Sequence, residues 1–305
     1  MSDEMMNTKE LAAYLGIHEK QVYALLKAGR IPGTRVTGKW VFPRKTIDEW
    51  IETNARGGLK DAREKSRRIE GALLAAGSND PILDMLQTYV KKTGPEFFIF
   101  SANTGSARGL KALNDGFTDI AWSHLLDPES GQYNIPFLPT YLPDVKAVVV
   151  HLFRREVGFI TAPKNPRQVR GFEDLARDDV RFINRQAGSG IRTLLDYHLT
   201  KRGIEPRRIR GYEEEVYTHF EVGLSILSGE ADTGIATVAV SRLLDLPFIA
   251  VARENFDMVL SRATYFEKPV QALIGCLRSR EFRDRVSKLG NYDFEDAGKI
   301  LHSQA

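Results

Sequence analysis

The chain reads as an α/β protein carrying a small winged helix-turn-helix at its front. Three features of the sequence lead there. Residues 1–55 hold two short helical runs around a glycine, followed by an alternating run that suits a β-hairpin. From Gly71 onward, short β-branched and aromatic runs alternate with helical ones, the signature of a largely parallel α/β sheet. The charge is also uneven: residues 1–56 carry 9 Lys+Arg against 7 Asp+Glu, 57–70 carry 5 against 3, and 71–305 carry 29 against 30. The positive excess lies at the front, where a polyanion would be met. The expected division is 1–55 for the DNA-binding module, 56–70 for a linker and 71–305 for a ligand-binding domain.

At 305 residues the chain has room for two or three domains at roughly 100–200 residues each. Its 42% hydrophobic and 27% charged residues are ordinary for a globular protein. No apolar run approaches the roughly 20 residues of a membrane span. The start MSDEMMNTKE lacks the basic and apolar regions of a signal peptide, so a cytoplasmic location and no membrane partner are expected. Cys276 is the only cysteine, which excludes an internal disulfide; its apolar setting ALIGCL reads as a buried thiol.

At the front, Asn7 and Glu10 form a capping-box pattern for a helix through Leu11, Ala12 and Leu15 that ends at Gly16. A second helix carries Val22, Leu25 and Leu26 at helical spacing and stops at Gly29. The run TRVTGKWVF alternates as two short strands around Thr37-Gly38, and a third helix from Arg44 to about Thr53 offers Ile47, Trp50 and Ile51 to the same core. On the outward face of the second helix, Glu19, Lys20, Gln21, Tyr23 and Lys27 are side chains that can bond base edges and phosphates, while Arg35, Lys39 and Arg44 around the wing suit the backbone. From Asn7 to about Asn54 the segment resembles the winged helix-turn-helix of excisionases and their relatives. That resemblance implies sequence-specific binding to double-stranded DNA.

In open α/β sheets a ligand lies beyond the carboxyl ends of the strands. The strand candidates ALLAAG, FFIFSA, DIAWS and VRFIN end in Ser78-Asn79, Thr104 to Ser106, Ser123-His124 and Arg185-Gln186. The last leads into Gly188-Ser189-Gly190 and a helix. Small hydroxyl and amide residues at helix starts can hold an anion with neutral donors, since the first turn leaves N–H groups unpaired. Each serine is also an ordinary helix cap, and Ser189 is open to both readings. Arg185 and Arg192 either bring charge to the cleft or pair with Glu213 to Glu215. Asp232 reads as an anchor for the following strand.

The ordered segments TGSARGLKAL, DIAWSHLLDPESGQYNIPF, NRQAGSGIRTLLDYHL and GYEEEVYTHFEVGLSILSGEADTGIA resemble the cytoplasmic PBP-like domain, a relative of periplasmic molybdate-binding proteins, over roughly Gly71 to Leu260. The resemblance implies a type II periplasmic-binding-protein fold with two lobes around a cleft, and a tetrahedral oxyanion, molybdate or tungstate, as ligand. By position the cleft would use Ser78, Asn79, Thr104, Ser106, Ser123, Arg185, Gly188, Ser189 and Gly190. Ile191 departs from the family pattern, which has Thr there, so a hydroxyl is missing. Lobe one would be 71–153 and 246–305 and lobe two 158–240, with irregular hinges near 154–156 and 239–246.

Phosphate-loop, nucleophile-elbow, dinucleotide and zinc-protease patterns are absent, and His124 and His219 read as packing or hydrogen-bonding residues. The expectation is a non-enzymatic, homodimeric transcription regulator without a covalent cofactor or metal site, sensing an oxyanion and binding DNA. The competing reading is an oxyanion-binding accessory protein for molybdenum or tungsten cofactor assembly.

Overall fold

A computed structural model describes residues 5–51 and 71–304; the 56–70 linker lies outside them. The chain divides into two units at Arg68/Ile69.

In the first unit, β1 (Met5–Met6) precedes α1 (Thr8–Leu15) and α2 (Glu19–Lys27). The hairpin β2 (Thr34–Val36) and β3 (Lys39–Pro43) follows, and then α3, helical over 44–51. Asn7 Oδ1 accepts the N–H groups of Lys9 and Glu10, Glu10 returns a bond to the Asn7 N–H, and Gly16 at φ 66° ends α1. Thr37 and Gly38 both have positive φ, 48° and 85°, which matches the twist of the two-residue hairpin they close. β1 pairs with β3, a strand too short for periodicity to reveal. Leu11, Val22, Ile31, Phe42 and Ile47 form the core.

The second unit is one mixed sheet. Its strands are β4 (Ala72–Gly77), β5 (Phe98–Asn103), β6 (Ile120–Ser123), β7 (Ala147–Thr161), β8 (Phe182–Arg185), β9 (Glu215–Val216), β10 (Thr233–Thr237), β11 (Phe248–Ser261) and β12 (Ile300–Ser303). They lie in the order β5-β4-β6-β11-β7-β10-β8-β9, with β12 on β7. The main helices are α4 (Pro81–Thr93), α5 (Ser106–Asn114), α6 (Leu138–Tyr141), α7 (Gly190–Arg202), α8 (His219–Leu227), α9 (Val238–Leu244), α10 (Arg262–Tyr265), α11 (Lys268–Arg278) and α12 (Arg280–Val286). This is the two-lobed type II periplasmic-binding-protein architecture. Cores built on Trp122, Val150, Phe256 and Leu273, and on Leu110 and Val259, make lobe one. Those on Phe159, Ile191 and Leu195, and on Ile183, Val222 and Leu246, make lobe two. Cys276 is buried in lobe one. Among the described residues no helix is long and apolar enough to cross a membrane.

The crossings differ from the sequence expectation. Residues 154–156 are not irregular: β7 runs unbroken through them, and β11 pairs antiparallel with it nearly throughout. The second crossing is not at 239–246, which is α9 and its turn; Leu246 and Phe248 pack in lobe two, and the chain passes to lobe one within β11 at 253–256. The charged run Arg154-Arg155-Glu156 looks like a loop because buried strands are usually apolar. Here Arg154 reaches Asp293 and Asp296, and Arg155 lies in register with Glu254, so each charge has a partner within or beside the ladder.

Candidate functional site

The cleft lies where the carboxyl ends of β4, β6, β8 and β10 approach one another, and the two sides are built differently. On the lobe-one side, the hydroxyls of Ser78 and Ser106 are 2.7 Å apart and Ser106 Oγ accepts the His124 N–H at 3.1 Å. One of the two hydroxyl hydrogens joins the pair, which leaves the other to donate elsewhere. Behind them, Arg155 donates to Asp80 Oδ2 at 2.8 Å, to the Asn79 carbonyl at 3.0 Å and to Glu254 Oε2 at 3.2 Å. Tyr292 donates to the other oxygen of Asp80, and His124 Nδ1 stands 3.3 Å from Glu254 Oε2. Arg155 is fully buried; its two carboxylates outweigh the cost of burial and hold its pKa above the ordinary value.

On the lobe-two side the pairing is incomplete. Arg185, 3% exposed, donates from Nε to Gln186 Oε1 and from Nη2 to the Tyr217 carbonyl, while Nη1 has no partner and no carboxylate pairs with it among the described residues. Burial, and then the charge of Arg155, lower its pKa to about 9, so it stays protonated at neutral pH. Gln186 Nε2 is likewise unpartnered and faces Gly105 of lobe one, where an added Cβ would stand 3.3 Å from it. His219, the first residue of α8, is buried with both ring nitrogens unpartnered. Burial and the charges of Arg185, Arg155 and His124 press its pKa well below the usual histidine value, which keeps the ring neutral. Thr237 Oγ1, at the end of β10, completes the unsatisfied set.

Buried polar groups are normally paired, and each one left without a partner costs about 1–3 kcal/mol. A guanidinium, an amide, an imidazole and a hydroxyl left open beside one cleft form a cradle of donors, suited to a ligand rich in acceptor oxygens.

The residues singled out from the sequence are placed as follows. Ser78 and Ser106 are brought together, and Arg185 lies in the lobe-two cradle. Ser189 Oγ caps α7 by accepting the Arg192 N–H. Gly188 touches lobe one, its carbonyl accepting the Ala107 N–H at 3.3 Å. Gly190 is approached closely, but by the His124 ring: a Cβ there would lie 2.3 Å from Nδ1. Ser123 donates to Asn134 within a buried network that includes Asp257 and His151, so its hydroxyl is committed to structure. Thr104 is half-buried, and the Asn79 amide reaches toward Asn103 at 3.5 Å. Ile191, placed by its position among the cleft residues, is instead buried in the lobe-two core. Arg192 pairs with Asp196 and Glu215, and Asp232 accepts the Arg181 N–H as an anchor.

His219, Gln186, Thr237 and Arg155 were not among the residues the sequence singled out for the cleft. A signal existed for the first: Thr218 and Glu221 form a capping box that starts a helix at His219.

In the first unit Glu19, Lys20, Gln21, Tyr23, Lys27, Arg35, Lys39 and Arg44 are all exposed. Arg35 lies 5.9 Å over Trp40 and bonds the Gly38 carbonyl, and Arg44 lies 4.8 Å over Tyr14, so both cations are pre-placed around the wing.

With these two units in view, family membership follows. The PBP superfamily domain matches residues 87–278, and the chain belongs to that family; a helix-turn-helix domain matches residues 5–55. The protein YvgK of Bacillus subtilis (strain 168) is 28% identical over 301 residues, covering 96% of each chain. A Clostridium pasteurianum protein from the 5′ region of a ferredoxin 2Fe-2S gene is 28% identical over 109 residues, covering 35% of this chain and 96% of its own. Among solved structures, one described as a phosphate ABC transporter substrate-binding protein with bound phosphate, from Clostridium perfringens, aligns with TM-score 0.52 and 15% identity over 71% of this chain and 97% of that one. The regulatory domain of Synechocystis PCC6803 CcmR in complex with 2-PG gives TM-score 0.52 and 11% identity over 68% and 96%. These likenesses establish the fold.

Proposed function

We propose that the chain is a ligand-responsive transcription regulator: its helix-turn-helix binds DNA as a homodimer in the cytoplasm, and its cleft senses a small tetrahedral oxyanion. The observation that carries the ligand reading is Arg185, a buried guanidinium with an open N–H and no carboxylate partner beside the equally open His219. An anion there supplies the missing charge and acceptors in one step. Molybdate and tungstate are the first candidates. Both are fully ionised and purely accepting at neutral pH, and Asp80 and Glu254, buried on the lobe-one side, are engaged by Arg155. Phosphate, bound in the Clostridium perfringens structure, is the rival.

Ligand binding changes DNA affinity only if the anion binds open and closed lobes differently; a few kcal/mol of difference gives on the order of 100-fold. Calorimetry with molybdate, tungstate, sulfate and phosphate is expected to give heat with at least one, with the affinity lowered roughly 100-fold in Arg185→Met. No heat with any of the four removes the oxyanion reading. Anisotropy with the DNA upstream of its own gene tests the other half. Binding no tighter than to random DNA at moderate salt, or binding indifferent to Lys20→Ala, counts against it.

A further inference from the structure

A single helix of lobe two joins the cleft to an exposed apolar face. α8 begins at His219 inside the cleft, while Phe220, Leu224 and Leu227 on its outer side recur at i, i+4 and i+7 and are 45–47% exposed. That spacing makes the stripe by which a helix usually packs on another element. Tyr217 before the helix and Leu243 on α9 extend the face at 49% and 51% exposure. α9 packs closely on α8 at Gly223, where a Cβ would stand 2.3 Å from Leu244. At about 200 Å² for a large apolar side chain, the five expose roughly 450–500 Å², the upper end of what a monomer leaves in one patch. A stable interface takes about 800 Å² from each partner, a little over half of it apolar, so these residues match the apolar share of one half-interface. Of the charged residues on or next to these helices, Glu221, Glu230 and Asp245 are acidic and Arg242 is basic, so a copy of the same surface can set Arg242 of one protomer against a carboxylate of the other.

We propose that this face is the homodimer interface, with α8 packed antiparallel on α8 of a second copy about a two-fold axis near Leu224. The inference rests on the regulator reading, in which two helix-turn-helix modules meet paired half-sites. It adds a route: the helix that reads the ligand at His219 is the helix that holds the partner, so anion binding changes the dimer.

Sedimentation equilibrium of the full chain is expected to show a dimer at micromolar concentration. Leu224→Glu should raise its dissociation constant roughly 100-fold, because a carboxylate would be buried at the axis, with the thermal melt of the monomer unchanged. Leu224→Cys should cross-link into a covalent dimer under oxidised glutathione while the wild type, whose Cys276 is buried, does not. A monomeric wild type overturns the proposal, including the case in which the chain's own N-terminal unit covers the face. A dimer undisturbed by Leu224→Glu also overturns it, and so does a Leu224→Cys dimer that fails to cross-link. If Leu224→Glu does not fold, the cross-link decides. Molybdate calorimetry on Leu224→Glu separates the two readings. Heat retained in a monomer supports the interface and leaves the ligand reading standing. Heat from a variant that is still dimeric overturns the interface alone.

Discussion

Arg155 and Arg185 border the same cleft and are almost equally buried, at 1% and 3% exposure, yet their surroundings are opposite. Arg155 is held by Asp80 and Glu254, and its pKa is raised; Arg185 has backbone and amide partners only, and its pKa is lowered to about 9. The contrast separates a structural charge from a receptive one. Lobe one brings a wall whose buried charges are balanced within it, and lobe two brings a buried guanidinium with no carboxylate paired to it among the described residues.

The largest test removes the finished charge. Arg155→Met leaves Asp80 and Glu254 buried without their cation and should cost about 3–5 kcal/mol in urea unfolding. A loss below about 1 kcal/mol would show that the network is not structural. Arg185→Met should do the reverse: stability without ligand equal to wild type or higher, and anion affinity lower by roughly 100-fold in calorimetry, since a charge-assisted donor is lost. If both variants destabilise equally, the contrast collapses. A smaller effect is expected from Ile191→Thr, which puts a hydroxyl into the lobe-two core. Stability should fall by about 1–2 kcal/mol, with the order of anion affinities unchanged.

The smallest effect lies in pH. His124 and His219 both have folded-state pKa values depressed by burial, so on acidification the unfolded chain takes up protons first. Their contribution to stability is present above about pH 6.5 and is lost as pH falls below it, by about 0.7 kcal/mol between pH 7 and 6 for His219, whose pKa lies well below the usual value. His219→Phe should flatten the profile of urea midpoints by one histidine's share.

The helix-turn-helix and the alternating strands were legible because they rest on local signals, whereas the two-lobed plan came from the family resemblance. The Asn7 capping box, the Thr37-Gly38 turn and short apolar runs closed by small residues declare themselves without tertiary information. The cleft was legible only by address. Arg185 and Arg192 are the same residue type on one strand-to-helix segment, and nothing local tells which will find a carboxylate; in the fold Arg192 meets Asp196 and Glu215, and Arg185 meets none among the described residues. Ser123 ends β6 and Ser106 opens α5, and only the fold shows that Asn134 claims the first. The charged middle of β7 misled for the same reason, its partners lying 75 to 142 residues away in the chain.

That middle also governs how the lobes can move. β7 and β11 form one antiparallel ribbon threaded through both lobes, with register shifts between Ala250 and Ala252 and between Phe256 and Asp257, on either side of the Arg155–Glu254 pair. Bulges concentrate twist, and a hydrogen-bonded ribbon twists far more readily than it stretches. The connection therefore works as a torsion bar with one soft coordinate. On the proposed function, an anion that drew the walls together would wind it through an angle, and the output of the domain would be a rotation.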